Sequence, residues 1–270
     1  GDALTSGGQN VAIGYLALSL ETTSSNNVAI GREALKTSNG GVGNVAVGRT
    51  ALAALTTGDN NVGVGLSVLL ANTTGADNVA VGKNALVANT TASFNVAIGA
   101  DALESNTTGA NNTAVGTGAL DANTTASNNT AVGQASLGAN TSTGDNNTAI
   151  GQLSLTTNTT GRFNVASGVD ALRRNTTGSF NTAGGYTALE DNTTASNNTA
   201  YGAYALGANT TGADNVAVGQ AALEDNTTAA DNVAVGSNAM NSNTTGTANV
   251  AMGTSSLEDN TTGANNVAIG

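Results

Sequence analysis

A five-residue phrase, Asn-Val-Ala-Val-Gly with Thr or Ile as variants, returns every seventeen residues along this chain, from Asn10–Gly14 to Asn266–Gly270. One residue inserted near 141–143 breaks the period once. A fixed period of this kind means that each unit is one supersecondary element, which buries its apolar side chains by stacking on its neighbours. The sequence therefore predicts a partial first coil over residues 1–9 and a single repeat array over residues 10–270. The anchoring asparagines are residues 10, 27, 44, 61, 78, 95, 112, 129, 147, 164, 181, 198, 215, 232, 249 and 266.

Each unit begins with a short predicted strand. We number the anchoring Asn as position 0, so that Val or Thr is position 1, Ala position 2, Val or Ile position 3 and Gly position 4. β-Branched residues at positions 1 and 3 favour a strand, in which these two side chains lie on one side and position 2 on the other. The Gly at position 4, present from Gly14 to Gly270, indicates a corner that needs positive φ or a close approach of two backbones.

The rest of the unit supplies a second apolar patch and a turn. Position 8 is Leu with Met240 as the exception, and position 7 is usually Ala. Positions 5, 6, 9 and 10 vary and hold most of the charged residues, so we expect them to face water. A segment such as Asn72-Thr73-Thr74-Gly75 follows, whose residue types favour turns through hydrogen bonds between side chains and backbone.

These features together predict an all-β fold, a parallel β-solenoid of about sixteen coils. A unit of seventeen residues is too short for a strand plus a packed helix, but it is long enough for one coil with two turns. Proline is absent from the sequence, as expected for coils whose backbone hydrogen-bonds to both neighbours.

Both faces of the predicted strand are mainly apolar. Position 2 is Ala in every unit except at Gly63, which indicates a crowded column, whereas position 3 reads Ser167, Gly184 and Tyr201 in successive units. That run suggests that neighbouring coils compensate each other's volume. One thin coil encloses only one face, and the other makes a stripe longer than the apolar patch that a monomer normally exposes. We therefore expect a side-by-side homotrimer, and the sequence leaves open which face is the core and which the interface.

The repeated phrase resembles known fibre-forming repeats. Asn-Val-Ala-Ile-Gly followed by Ala-Leu is similar to the head repeats of YadA-like trimeric autotransporter adhesins. The fuller unit, as in Asn112–Thr125, is similar to repeats of bacterial and phage tail-fibre-domain proteins. The resemblance covers Gln9 to Gly270, although the adhesin unit is shorter than the unit of this chain. It implies a left-handed β-roll, a trimer and an extracellular place at a cell surface, with a virion tail fibre as the alternative.

Composition argues against several function classes. The chain has no His and no Cys, so it lacks an imidazole base, a thiolate and the usual transition-metal ligands. Seven Lys and Arg against eighteen Asp and Glu give a net charge of -11, without the basic track that nucleic acid requires. No apolar run approaches the roughly 18 residues of a membrane span. We predict that the chain is not an enzyme and has no catalytic, cofactor-binding or metal-binding residues.

Several recurring features have a functional reading beside a structural one. The acidic pairs suit acid–base chemistry or a weak Ca²⁺ site, but they fall at variable, solvated positions. The Asn-Thr-Thr triplets match the glycosylation acceptor rule, although a turn with an asparagine ladder accounts for them fully. Thr columns at positions 12 and 13 resemble those of ice-binding solenoids, but adjacent residues point to opposite sides, so at most one column is displayed. Phe163 and Phe180 lie one coil apart and suggest a stacked pair. The acidic pairs are Glu190-Asp191, Glu224-Asp225 and Glu258-Asp259.

We interpret the chain as a structural segment of an extracellular fibre or filament, acting as a stiff spacer or head of a surface appendage. The alternative is an adhesin head, or a repeat surface that binds a host, a matrix or ice. The array begins and ends in frame with a strand edge and without a polar terminal unit. For that reason we also expect end-to-end assembly into a longer fibre.

Overall fold

The computed structural model describes residues 5–270, and in them the backbone forms only short strands and turns. The chain divides into two compact units, residues 1–134 and 135–270. In its described residues each unit is an all-β parallel solenoid, which confirms the predicted fold class. Residues 1–4 of the predicted partial first coil lie outside the described residues. The N–H of Thr5 donates to the carbonyl oxygen of Thr22 (3.0 Å), and the Thr5 hydroxyl donates to the same oxygen (2.9 Å).

Every strand is three residues long and covers positions 1 to 3 of its repeat. Consecutive strands within a compact unit pair in parallel with like positions in register, so that Val79 lies beside Val96. Asn10 to Asn266 spans fifteen periods, so sixteen strands delimit fifteen complete coils. In the first unit the strands are β1 (Val11–Ile13), β2 (Val28–Ile30), β3 (Val45–Val47), β4 (Val62–Val64), β5 (Val79–Val81), β6 (Val96–Ile98), β7 (Thr113–Val115) and β8 (Thr130–Val132). In the second unit they are β9 (Thr148–Ile150), β10 (Val165–Ser167), β11 (Thr182–Gly184), β12 (Thr199–Tyr201), β13 (Val216–Val218), β14 (Val233–Val235), β15 (Val250–Met252) and β16 (Val267–Ile269).

Hydrogen bonds between coils continue beyond the strands. The N–H of Leu86, at position 8, donates to the carbonyl oxygen of Ala102 in the next coil (3.0 Å). The N–H of Gly82, at position 4, donates to the carbonyl oxygen of Val64 in the previous coil (2.9 Å). Each coil therefore bonds to both of its neighbours through its backbone. Proline, which lacks the N–H, would break such a ladder, and the sequence contains none.

The inside of each coil is lined by small side chains and one leucine. Ala80 at position 2, Ala85 at position 7 and Leu86 at position 8 are completely buried, and the same columns are buried in the second unit. The face with position 2 is therefore the core, and positions 1 and 3 face outward. The exception at position 2 has a packing cause. A Cβ on Gly63 would lie 3.0 Å from Val68, which replaces the usual alanine at position 7.

The leucines at position 8 adopt a left-handed backbone, which the sequence does not suggest. Leu86 has a φ of 52° and Leu206 a φ of 51°, and residues at positions 6 and 16 share this conformation. For a residue with a Cβ the conformation costs roughly 1–2 kcal/mol. Burial of the leucine side chain and the hydrogen bond of its N–H to the next coil offset that cost.

The glycine at position 4 is required for two reasons. From Gly14 to Gly270 these residues have φ between 130° and 149°, which side chains disfavour. A Cβ on Gly14 would also lie only 2.6 Å from the carbonyl oxygen of Gly31 in the next coil. The predicted corner, with positive φ and a close approach of two backbones, is confirmed.

Ala131→Leu should destabilise the chain by roughly 1–3 kcal/mol or more, because position 2 has no room for a larger side chain. Ala88→Leu is the matched control, since position 10 is partly exposed and the first coil already has Leu20 there. Thermal unfolding followed by circular dichroism should show a lower Tm for Ala131→Leu and a nearly unchanged Tm for the control. Equal shifts would contradict the assignment of the inner face.

Candidate functional site

Two columns of asparagine side chains run through the interior of each unit. At position 0, Asn78 is completely buried, and its Nδ2 donates across the coil to the carbonyl of Ala92 (2.9 Å). The same Nδ2 donates to Oδ1 of Asn61 in the previous coil (3.0 Å), and that oxygen also accepts the backbone N–H of Asn78 (3.1 Å). One amide therefore closes its own coil and joins it to the neighbouring coil.

The second column stands at position 11, in the Asn-Thr-Thr triplets. Oδ1 of Asn72 accepts the N–H of Gly75 (3.1 Å), and Nδ2 of Asn89 donates to Asn72 Oδ1 (3.2 Å) and to the carbonyl of Ala92 (3.1 Å). Asparagines at this position are completely buried through most of both units. The ladder interpretation of the triplets is thus confirmed. The nitrogen that a glycan would modify is buried and hydrogen-bonded in the folded chain.

The position 11 column begins with a carboxyl group instead of an amide. Glu21 is completely buried, and its Oε1 accepts the N–H groups of Thr23 (2.9 Å) and Ser24 (2.7 Å). Burial raises the pKa of this carboxyl, but the hydrogen bonds from Ser24 and Thr23 outweigh burial, so the pKa lies below its usual value. Glu21 Oε2 and the hydroxyls of Ser24 and Ser38 form no well-aligned hydrogen bond. The two backbone donors therefore hold the carboxylate.

The acidic pairs lie at the surface, and one of them has basic partners. Glu190 and Asp191 stand one coil beyond Arg173 and Arg174, and each carboxylate forms an ion pair with one of these arginines. Within residues 5–270 no group of three His, Cys, Asp or Glu side chains is placed to hold a metal ion. The same residues enclose no cavity. Glu190 and Asp191 are therefore partly exposed ion-pair partners, in agreement with the expectation that the acidic pairs face water.

The outward side chains of the strands form an apolar surface, which we call the outer stripe: positions 1 and 3 of consecutive coils within one unit. Position 3 is aliphatic in most coils, and the side chains are well exposed, as for Ile98 (41%) and Ile150 (46%). In the second unit the ring of Tyr201 covers Gly184, which confirms that neighbouring coils compensate each other's volume. With eight strands about 4.8 Å apart, each outer stripe is roughly 35 Å long. A contiguous apolar patch of this extent is typical of an interaction surface.

Aromatic side chains cluster at the edges of the outer stripe in the second unit. Phe163 and Phe180 stack with ring centroids 5.0 Å apart and planes 13° apart, which confirms the predicted stacked pair. Tyr186 and Tyr204 meet edge to face, with centroids 5.5 Å apart. All four rings are between 41% and 58% exposed, so they contribute to the surface and not to the core.

The two threonine columns differ in exposure. At position 12 the hydroxyl of Thr73 donates to the carbonyl of Thr90 in the next coil (3.1 Å), so it serves the stacking of coils. At position 13, Thr74 and Thr91 are exposed. Position 12 is partly buried in most coils, with Thr56 and Thr261 exposed, so within residues 5–270 the position 13 column is the one displayed along most of each unit.

Comparison with known proteins assigns no family to this repeat. No protein-family model matches the chain, and no curated protein matches it. The similarity to adhesin and tail-fibre repeats therefore stays an expectation based on the repeated phrase. Within residues 5–270 the fold includes no apolar helix of membrane-spanning length.

Sequence reasoning named no site residues, and it predicted an exposed apolar stripe but left open which face of the strand forms it. The reason is that positions 1, 2 and 3 are all apolar, so alternation separates the two faces without saying which one faces out. The ion pairs of Arg173 and Arg174 could have been predicted from the sequence. Opposite charges stand one repeat apart, at the same two positions of consecutive units, where stacking brings them together.

Glu21→Gln should lower the Tm at pH 7 by a few degrees, because it removes a carboxylate whose folded pKa is depressed. A depressed pKa stabilises the fold above the unfolded pKa, and that stabilisation is lost as the pH falls through the folded pKa. The Tm difference between wild type and variant should therefore shrink as the solution is acidified below pH 4.5, the ordinary value of the group. Glu104→Gln, at a partly exposed position, is the control. A constant difference at all pH values would contradict this account.

Proposed function

We propose that this chain is a structural segment of an extracellular fibre or filament, in which three copies associate side by side through their outer stripes. The observation that carries the proposal is the exposure of the outer stripe. The core of each coil is complete without positions 1 and 3, since Ala80, Ala85 and Leu86 fill it. Aliphatic side chains at position 3 remain in water in the single chain, and burying them in an interface is favourable by roughly 25 cal/mol per Å².

The shape of the outer stripe favours a second copy of the chain over an unrelated partner. Its side chains repeat with the spacing of the coils, about 4.8 Å, because like positions are paired in register. A neighbouring copy presents the same spacing, so side chains at every coil can pack in the same way along the interface. The repeated phrase adds support for three copies and a surface location, since the adhesin repeats that it resembles are trimeric and extracellular.

A structural role also agrees with the chemistry of the chain. The sequence has no His and no Cys, and its buried polar groups, such as Asn78 and Asn72, are engaged in holding coils together. The surface carries few charges, 9% of residues, and many threonines and asparagines. These features suit a structural role, and we assign the chain the role of a stiff spacer or head.

The alternative of an adhesive surface has its own supporting observation. The exposed threonines at position 13, among them Thr74, Thr91 and Thr108, repeat once per coil. They lie in the turn segment and not in the outer stripe, so a ligand there would not compete with association. We rank this function second because a single column of threonine side chains offers a narrower contact than the outer stripe.

Val81→Asp combined with Ile98→Asp should abolish self-association, because two buried carboxylates per chain would oppose burial of the outer stripe. Sedimentation or light scattering should give about three chains per particle for the wild type and one for the double variant. Thr74→Asp combined with Thr91→Asp places the same charges at position 13 and should leave three chains. Circular dichroism checks that both variants keep their β structure. A folded, soluble wild-type monomer would exclude the proposed assembly.

A further inference from the structure

Three departures from the repeat lie side by side in the second unit. The inserted residue falls in the turn at 141–143, and Arg162 is the one basic residue at position 15. Two phenylalanines, Phe163 and Phe180, stand at position 16, where most other coils have Asn or Asp. These departures occur in three consecutive coils, so stacking brings them together. We call Thr143, Arg162, Phe163 and Phe180 the turn patch.

Hydrogen bonds and a ring contact join the members of the turn patch. Arg162 Nε donates to the carbonyl oxygen of Thr143 (2.6 Å), and Arg162 Nη2 lies 3.8 Å from Oδ2 of Asp145. The N–H of Phe163 donates to the carbonyl oxygen of Asp145 (3.4 Å), and the N–H of Phe180 donates to that of Arg162 (3.0 Å). The two phenyl rings stack on each other. The turn with the inserted residue is therefore fixed to the aromatic pair through Arg162.

The stability of the fold does not account for the two phenylalanines. Phe163 has a φ of 57° and Phe180 a φ of 59°, a left-handed backbone that Asn and Asp tolerate and bulky side chains avoid. The position 8 leucines offset the same strain by burial, whereas the two phenyl rings are well exposed. Exposed side chains that break a local rule in this way are typical of functional sites.

Association along the outer stripe does not account for the turn patch either. An interface between copies of a repeat uses every coil, whereas the patch is confined to three coils of the second unit. The first unit offers an internal comparison in Phe94, which has the same position, a φ of 62° and an exposure of 60%. Its neighbours at position 16 are Asp77 and Asn111, and Ser93 takes the place of the arginine. Phe94 is thus a single ring without the rest of the patch.

The surroundings of the turn patch define the chemistry of a ligand. Exposed hydroxyl and amide side chains lie in the same turns, and Asp145 offsets the charge of Arg162, so the patch provides no positive field for a phosphate or a sulfate. Residues 5–270 enclose no cavity, so a ligand lies on the surface. A sugar ring matches these features, because its C–H groups form an apolar face for the phenyl rings and its hydroxyls form hydrogen bonds at the rim. The exposed polar residues are Ser142, Asn146, Thr160, Thr177 and Asn197.

We infer that the turn patch binds a neutral glycan, with a sugar ring against the Phe163 and Phe180 pair and the sugar hydroxyls at the turn with the inserted residue. Arg162 is a positioning residue, because it holds the backbone of that turn at Thr143. The inference goes beyond the proposed structural role. The patch lies beside the outer stripe and not within it, so glycan binding does not depend on how many copies associate.

An array of neutral and sulfated oligosaccharides is the probe, and calorimetric titration with the neutral glycan that binds best gives the affinity. Phe163→Asn combined with Phe180→Asn should weaken binding at least about tenfold, as for the loss of an aromatic anchor. The double variant restores the residue type of most other coils, so its Tm should be unchanged or higher, which separates lost binding from lost folding. Phe94→Asn is the matched control and should leave the affinity unchanged.

Arg162 is tested by a pair of variants. Arg162→Ser introduces the residue that the next coil has at this position, Ser179, and removes the hydrogen bond to Thr143. It should weaken glycan binding severalfold, with unchanged circular dichroism. Arg162→Lys keeps a donor for the same carbonyl oxygen and should retain more affinity than Arg162→Ser. Equal affinities of the two variants would contradict the positioning role.

The outcomes separate this inference from the proposed function. No binding on the array, binding of sulfated oligosaccharides alone, or an equal loss of affinity in Phe94→Asn would overturn the glycan site. Sedimentation of the same samples reports on assembly. A wild-type monomer that binds the glycan would remove the proposed trimer and leave the glycan site, and trimers that bind no glycan would do the reverse. Fewer chains per particle in the Phe163 and Phe180 double variant would assign the aromatic pair to the interface and overturn the inference.

Discussion

The structure depends on a buried side-chain amide that crosses each coil. A coil this short encloses too little space for a large apolar core, and its turns direct backbone carbonyls and N–H groups inward. Such groups are costly to bury without partners. The asparagines at positions 0 and 11 meet that requirement, as Asn78 does for the carbonyl of Ala92 and Asn72 for the N–H of Gly75. At position 0 the Oδ1 of Asn78 also accepts the backbone N–H of Asn95 in the next coil, and at position 11 the amides bond to one another, so the same side chains close a coil and join it to its neighbour.

The outer surface follows from this inner arrangement. Asparagines at positions 0 and 11, small residues at positions 2, 7 and 14 and the leucine at position 8 complete the core, so positions 1 and 3 are left outside as β-branched, mainly apolar residues. The left-handed backbone at Leu86 and the glycine corner turn the chain sharply enough to keep the coil small. A small coil has a large surface for its volume, which favours association along the outer stripe.

The sequence predicts much of this fold because the repeat removes ambiguity. The period, the three-residue strands, the glycine corner and the stacked Phe163 and Phe180 all follow from residue types at fixed positions. The identity of the inner face does not, since Ala, Val and Ile at positions 1 to 3 are all apolar. The positive φ at Leu86 also escapes prediction, because leucine normally avoids it and only stacking offsets its cost. Glu21 stands in the sequence where later units have the Asn of Asn-Thr-Thr, but the burial of its carboxylate does not follow from that alignment.

The most direct measurement is the free energy of unfolding of Asn78→Asp, taken at one chain concentration and compared with Asn111→Asp. The substitution preserves the shape of the side chain but replaces the Nδ2 donor with a carboxylate oxygen, which faces the carbonyl oxygen of Ala92 and Oδ1 of Asn61. At pH 7 it should therefore lower the free energy of unfolding by on the order of 3 kcal/mol. The cost should fall at low pH, where a protonated carboxyl donates again. Asn111 is exposed, and Asp77 occupies the same position in another coil, so the control should change stability by less than about 0.5 kcal/mol. Equal, small effects of the two substitutions would contradict the view that buried amides hold the coils together.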